Sequence, residues 1–168
     1  MTGLTSRDRA ALGLVIFYIA CAFTLELYWL VYHSSLAGRS DLFARAFWLY
    51  GRGDRGYYDL VSSFEIGLES FHIVFTQLLL ICVAVGIWRQ SMWRYPLQLA
   101  VSSYVCYSTT LYLLANHVSG YAGMPHHVPA SFLIFYLPNL PWVFGNAWLA
   151  SNAASSIARA FRQVEETF

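Results

Sequence analysis

The 168-residue chain contains no lysine, and charged residues make up only 11% of it. Soluble domains contain about 25% charged residues, whereas this chain is 58% hydrophobic. We therefore expect a membrane protein. Ten basic residues, all arginine, are nearly balanced by nine acidic ones. A net charge of +1 lacks the basic surface that binds phosphate backbones, so we expect no nucleic acid partner.

Motifs for metals and cofactors are also missing. Cys21, Cys82 and Cys106 are far apart and lie in apolar stretches, so they predict neither a disulfide framework nor a zinc site. The sequence has no P-loop and no HExxH pattern. We expect no metal, nucleotide or redox cofactor.

Four apolar stretches are each long enough to cross a bilayer, which takes about 20 residues. They cover about 10–33, 60–88, 95–115 and 130–153. Between the first two, residues 41–50 predict a short amphipathic helix and GRGDRG predicts a turn. Six arginines on the side of both termini, against four on the other side, favour cytoplasmic termini. We predict one all-α domain, residues 1–168, that forms a multi-pass integral membrane protein with a bundle of four transmembrane helices.

Three glutamates lie at membrane depth, Glu26 in the first span and Glu65 and Glu69 in the second. An acidic side chain at the centre of a span costs about 2.5–3.5 kcal/mol, so each must face a cavity or a polar partner. Polar residues of the second span recur every three or four positions and therefore share one helix face: Ser62, Glu65, Glu69, His72 and Thr76. The later spans show similar spacing: Gln98, Ser102, Cys106, Thr109 and Asn116, then Asn139, Trp142 and Asn146. These stripes predict an internal ligand cavity in the bundle.

The alternative is that such polar side chains only hold helices together, at about 0.6 kcal/mol per hydrogen bond. This alternative stays open for the Ser, Thr and Gln positions. It also stays open for His72, whose role would then be only that of a neutral hydrogen-bond partner of Glu69. The glutamates favour a function, because glutamine would link helices at a lower desolvation cost. His126 and His127 lack further ligands and predict solvated loop residues rather than a metal site.

Trp142 differs from the other tryptophans, which lie near span ends or in loops as interfacial anchors do. It is placed mid-span, directly after Pro141 and four residues after Pro138. Prolines bend a membrane helix and free backbone carbonyls. A bent helix that presents Asn139 and Trp142 inward is suited to hold a cationic group against an indole face.

These residues resemble the emopamil-binding protein family of the EXPERA superfamily, over about 11–153. Four short motifs in the family's order carry the resemblance: Glu26 in FTLELYW, Tyr50 to Asp54 as YGRGD, Glu65 in SSFEIG, and Asn139 with Trp142 in PNLPW. One position differs. The sterol isomerases have a histidine one turn before the first-helix glutamate, where this chain has Ala22, and His72 is the candidate imidazole in its place.

The resemblance implies a hydrophobic, cation-accepting cavity that opens toward the bilayer, a hydrophobic small-molecule ligand and a homodimer. It also implies the endoplasmic reticulum in a eukaryote, while a bacterial source would mean the inner membrane. The family's best-known activity moves a sterol ring double bond from the 8,9 to the 7,8 position. Relatives include the sigma-two receptor, which binds sterols and lipophilic amines.

Two functions are therefore expected. The first is a cofactor-free isomerase or related cyclase that protonates an alkene of a sterol or polycyclic terpenoid, stabilises the carbocation and removes a neighbouring proton. Glu26 and Glu65 form its acid and base, while Glu69 and His72 tune them or relay protons. Trp142 stabilises the cation and Asn139 orients a carboxyl, and Thr76 and Tyr107 complete the substrate-binding set. The second is a sterol, lipid or amine binder without catalysis, and a transporter is disfavoured because no inverted repeat is visible.

Overall fold

The structure is a computed structural model that describes residues 3–122, 124 and 129–166. Every element in these ranges is helical, which confirms the all-α prediction. The elements follow one another in this order: α1 (Ser6–Cys21), a π-helix (Ala22–Glu26), α2 (Leu27–Tyr32), a 3-10 helix (His33–Gly38), α3 (Leu42–Tyr50), a 3-10 helix (Arg55–Tyr57), α4 (Ser63–Phe71), a π-helix (His72–Thr76), α5 (Gln77–Trp88), α6 (Arg94–Val118), α7 (Pro129–Leu140), a π-helix (Pro141–Gly145) and α8 (Asn146–Glu165).

Four long helices result within the described ranges, and they coincide with the expected spans. Two of them, Ser6–Gly38 and Ser63–Trp88, are long and apolar enough to cross a membrane. The third, α6, and the fourth, 129–165, carry more polar residues, so the membrane crossing of these two stays a prediction. His126 and His127 lie outside the described residues.

The helix ends follow from local hydrogen bonds. The Thr5 side chain caps α1 by accepting from the Asp8 amide at 3.1 Å. Asp41 caps α3 in the same way through the Ala44 amide at 3.1 Å, which confirms the short helix expected over 41–50. The next segment, 51–56, has the GxGxxG spacing of a dinucleotide-binding turn, but it follows a helix and not a strand, so it lacks that motif's context.

The main core lies where α1, α5, α6 and α8 meet. Its centre consists of fully buried aliphatic side chains: Val15, Val83, Ile87, Val101 and Leu149. Gln98 of α6, 1% exposed, donates to the Leu149 carbonyl of α8 at 2.9 Å. A second cluster packs Trp29 and Leu36 against Ala44 and Phe47 of α3. Between these two cores the helices leave a cavity.

Candidate functional site

A cavity of about 400 Å³ lies between the long helices and α3. Each of the three π-helices contributes to its wall: Glu26 from the first, His72 and Thr76 from the second, and Trp142 from the third. A π-helix places one extra residue in a helical turn and occurs often at functional sites. Here the three insertions face one cavity.

Two carboxyl groups lie in this cavity. Glu69, 7% exposed, accepts a hydrogen bond of 2.5 Å from the Tyr57 hydroxyl on its Oε1. Its Oε2 and the Oε2 of Glu26 are buried without a hydrogen-bond partner among the described residues. The two carboxyls are close enough for their charges to interact. The cavity therefore holds a pair of acidic groups with unused hydrogen-bonding capacity.

Glu65, the expected partner of Glu26, does not line the cavity. It occupies the first turn of α4, where its Oε2 accepts from the Ser62 backbone amide at 3.0 Å and from the Ser62 hydroxyl. Ser62 in turn accepts from the Phe64 amide at 3.2 Å. This reciprocal capping box satisfies amides that the helix itself leaves unpaired. The structure thus places Glu69, and not Glu65, in the cavity with Glu26.

His72 and Thr76 line the cavity, as the polar stripe predicts. The Nε2 of His72 lies 3.5 Å from the Ser108 hydroxyl of α6. Gln77 also faces the cavity, because the π-helix shifts the residues that follow it around the helix axis. The polar stripe on α6 is only partly inward, since Thr109 lines the cavity while Gln98 links α6 to α8.

Trp142 lies against Tyr18, with ring centroids 4.3 Å apart. The Tyr18 hydroxyl donates to the Pro141 carbonyl at 2.7 Å and so fixes the first helix against the proline-containing turn. The adjacent Asn139 is 8% exposed and donates to the Tyr50 hydroxyl at 3.2 Å and to the Phe135 carbonyl at 2.7 Å. The sequence predicts that Asn139 orients a carboxyl, and in the structure Asn139 is linked to a carboxyl through the Tyr50 hydroxyl.

That carboxyl belongs to Asp54, which is 3% exposed beside the cavity wall. It accepts hydrogen bonds from the Tyr112 hydroxyl, from the Gly56 amide at 3.1 Å and from the Tyr50 hydroxyl at 3.4 Å. Burial raises the pKa of Asp54 to about 6, although the hydrogen bonds oppose this shift. Asp54 therefore joins the segment before α4 to two cavity tyrosines.

Sequence reasoning gave no site role to three tyrosines that line the cavity, Tyr50, Tyr57 and Tyr112, although Tyr50 opens the YGRGD motif. They come from three separate segments, so no helical periodicity connects them. Tyr107, expected to bind substrate, is 66% exposed and is not among the described cavity residues. No group of three or more His, Cys, Asp or Glu suited to a metal ion occurs among residues 3–122, 124 and 129–166.

Comparison with known proteins identifies one family. The model of the EXPERA family (EXPanded EBP superfamily) matches residues 42–153, two thirds of the chain. This range contains Glu69, His72, Asn139 and Trp142, whereas Glu26 precedes it. No curated protein matches the chain.

Proposed function

We propose, from the premise that the chain belongs to the EXPERA family, that it is a membrane-embedded, cofactor-free isomerase. Its substrate would be a sterol or a related polycyclic terpenoid. One observation carries the proposal: Glu26 and Glu69 share an apolar cavity with the indole of Trp142. Acid, base and cation stabiliser are the three groups that an alkene shift requires.

The reaction balances without an oxidant or reductant. Glu26 donates its proton to one alkene carbon, which leaves a tertiary carbocation at the other. The electron pair of a neighbouring C–H bond forms the new double bond while Glu69 takes that proton. We assign Glu69 as the base because the hydrogen bond that it accepts from Tyr57 stabilises its ionised form, which leaves Glu26 as the acid.

Trp142 would face the carbocation with its negative ring surface. His72 lies one turn from Glu69 and lines the same cavity. After each turnover the proton must return from Glu69 to Glu26, and His72 is the group that we propose to carry it.

The test is turnover of an 8,9-unsaturated sterol by the purified protein in lipid nanodiscs and deuterated water. Product with a shifted double bond and one added deuterium, read by mass spectrometry, supports the proposal. Glu26→Gln and Glu69→Gln should each abolish labelling while the protein remains folded. Glu65→Gln should retain it, because glutamine also serves at that position of a capping box. Loss of labelling in Glu65→Gln but not in Glu69→Gln would refute the proposed pair.

A second candidate is a binder of sterols or lipophilic amines without catalysis, of the sigma-two receptor type. Ala22 favours it, because the isomerases have a histidine at this position. A bound ammonium would resemble the carbocation and meet the same groups. Tight binding of a lipophilic amine without labelled product would select this function.

The proposal also includes four membrane spans, cytoplasmic termini and a homodimer. Location in the endoplasmic reticulum applies to a eukaryotic source and location in the inner membrane to a bacterial one. Cysteine accessibility from either side of a sealed membrane tests the topology, with single cysteines at the exposed Arg9 and Leu42 in a cysteine-free background. Labelling of both positions from one side would contradict it.

A further inference from the structure

A second cleft, of about 420 Å³, lies where the start of α1, the start of α6 and the middle of α8 meet. We call it the terminal cleft. It shares no residue with the cavity. Its size falls within the range of small-molecule sites, about 300–1,000 Å³.

The charge of the terminal cleft is positive. Arg7 and Arg159 line it, and neither forms an ion pair with any residue in the described part of the chain. Arg159 donates to the buried Ser156 hydroxyl at 2.9 Å, which orients its guanidinium. Arg7 of α1 and Arg159 of α8 thus line the same polar cleft.

The acidic residue of the cleft, Asp8, does not cancel these charges. Its carboxylate is paired with Arg94 at 2.5 Å. Arg94 is 4% exposed and also donates to the Tyr95 hydroxyl at 2.8 Å. Because the buried guanidinium neutralises Asp8, the charges of Arg7 and Arg159 remain available to an anion.

The position of the cleft indicates which anion it meets. The cleft includes Ser6, the first residue of a helix long and apolar enough to cross a membrane. The ends of such helices lie at the level of the lipid headgroups, where arginine attracts anionic lipids. Guanidinium groups also match the geometry of phosphate oxygens.

We propose that the terminal cleft binds an anionic phosphate group, that of a phospholipid headgroup or of a soluble phosphate ester. Arg7 and Arg159 hold the phosphate from two sides, and the cleft hydroxyls add hydrogen bonds. The site is separate from the cavity and does not depend on the proposed isomerase activity.

The test uses the full-length protein in a nonionic detergent and measures dissociation constants from intrinsic tryptophan fluorescence. The probes are dihexanoyl phosphatidylglycerol, dihexanoyl phosphatidylcholine with the same acyl chains but no net charge, and glycerol phosphate with no acyl chain. We expect phosphatidylglycerol to bind more tightly than phosphatidylcholine. Arg7→Gln and Arg159→Gln should each weaken its binding about fivefold, the effect of one basic residue near a membrane surface.

Arg162→Gln is the matched control, because Arg162 lies three residues beyond Arg159 on α8 and does not line the cleft. It should leave the affinity unchanged. Displacement of phosphatidylglycerol by glycerol phosphate would support the site and identify a soluble phosphate ester as a sufficient ligand. Absence of displacement would support the site and identify the phospholipid as the ligand. Equal binding of the two lipids, or equal losses for Arg159→Gln and Arg162→Gln, would overturn the proposal.

Discussion

The Tyr57 hydroxyl donates a hydrogen bond of 2.5 Å to the Glu69 carboxylate inside the cavity. Tyr57 belongs to the short helix before α4, and its carbonyl accepts from the Trp29 indole of the first long helix at 2.9 Å. Tyr57 thus links the first long helix to Glu69, a proposed catalytic group. Within the described residues, Glu69 is the acidic side chain to which the Tyr57 hydroxyl donates, so removal of this hydroxyl is a direct test of that role.

Tyr57→Phe should reduce turnover about 10- to 100-fold, because it removes a hydrogen bond to a charged group, which contributes about 1.5–3 kcal/mol. Sterol binding should change little, since the ring remains. The measurement is single-turnover labelling at saturating sterol, with binding determined separately. Tyr58→Phe is the matched control, as Tyr58 packs in the same cluster without lining the cavity. Equal losses in both variants would mean that the effect is general packing.

Asp54 should make stability depend on pH. Burial raises its pKa to about 6, while the unfolded chain ionises near 3.8, so the folded state holds a proton over this interval. The free energy of unfolding should therefore fall by about 3 kcal/mol as pH rises from about 4 to about 6. Outside this pH range the contribution of Asp54 should not change with pH. The charge of Glu65 also raises the pKa of Asp54. The hydroxyls of Tyr50 and Tyr112 donate hydrogen bonds to the Asp54 carboxylate and lower this pKa.

Denaturant unfolding in detergent at pH 4 to 7 measures this dependence. Asp54→Asn should reduce the fall by about 3 kcal/mol, because asparagine does not titrate. Asp59→Asn should preserve it, since Asp59 is exposed and paired with Arg55. A wild-type slope in Asp54→Asn would assign the pH dependence to another group.

The sequence predicts the helices well and the cavity less well. Apolar stretches of about 20 residues predict long helices whatever their internal geometry, and the predicted 95–115 corresponds to α6, Arg94–Val118. The inward face of the second span depends on a regular 3.6-residue period. The π-helix at His72–Thr76 breaks that period, which explains why Gln77 joins the cavity.

Glu65 illustrates a signal that the sequence contained. Ser62 and Glu65 have the S-x-x-E spacing of a capping box, which assigns the glutamate to the helix start. The same glutamate also fits the polar stripe and the family motif, and those two patterns favoured a catalytic role. Tyr57 offers no such signal, because its contact with Glu69 joins a loop to a helix twelve residues away.

Trp142→Ala should weaken binding of a lipophilic ammonium about tenfold more than binding of its neutral isostere. The reason is the cation–π interaction, about 1–2 kcal/mol in a desolvated site, which only the charged ligand makes. Tyr18, 4.3 Å away between ring centroids, maintains the wall behind the substituted position. Trp142→Phe should give an intermediate loss. Equilibrium competition with both ligands measures the difference, and equal losses would show that Trp142 only fills space.

The buried pair of Asp8 and Arg94 should be essential for stability. Their side chains are only 14% and 5% exposed, and the oxygen–nitrogen distance is 2.5 Å. Removal of one partner leaves an unpaired buried charge, which destabilises proteins by about 3–5 kcal/mol. We therefore expect a loss of about this size for Asp8→Asn in denaturant unfolding.

Two further variants separate this ion pair from a general charge effect. Asp59→Asn breaks an exposed ion pair, with side chains 44% and 41% exposed, and should cost at most about 1 kcal/mol. The double variant Asp8→Asn with Arg94→Met should recover most of the loss, because methionine fills the site without a charge. Equal losses for Asp8→Asn and Asp59→Asn, or no recovery in the double variant, would show that the unpaired guanidinium is not the cause.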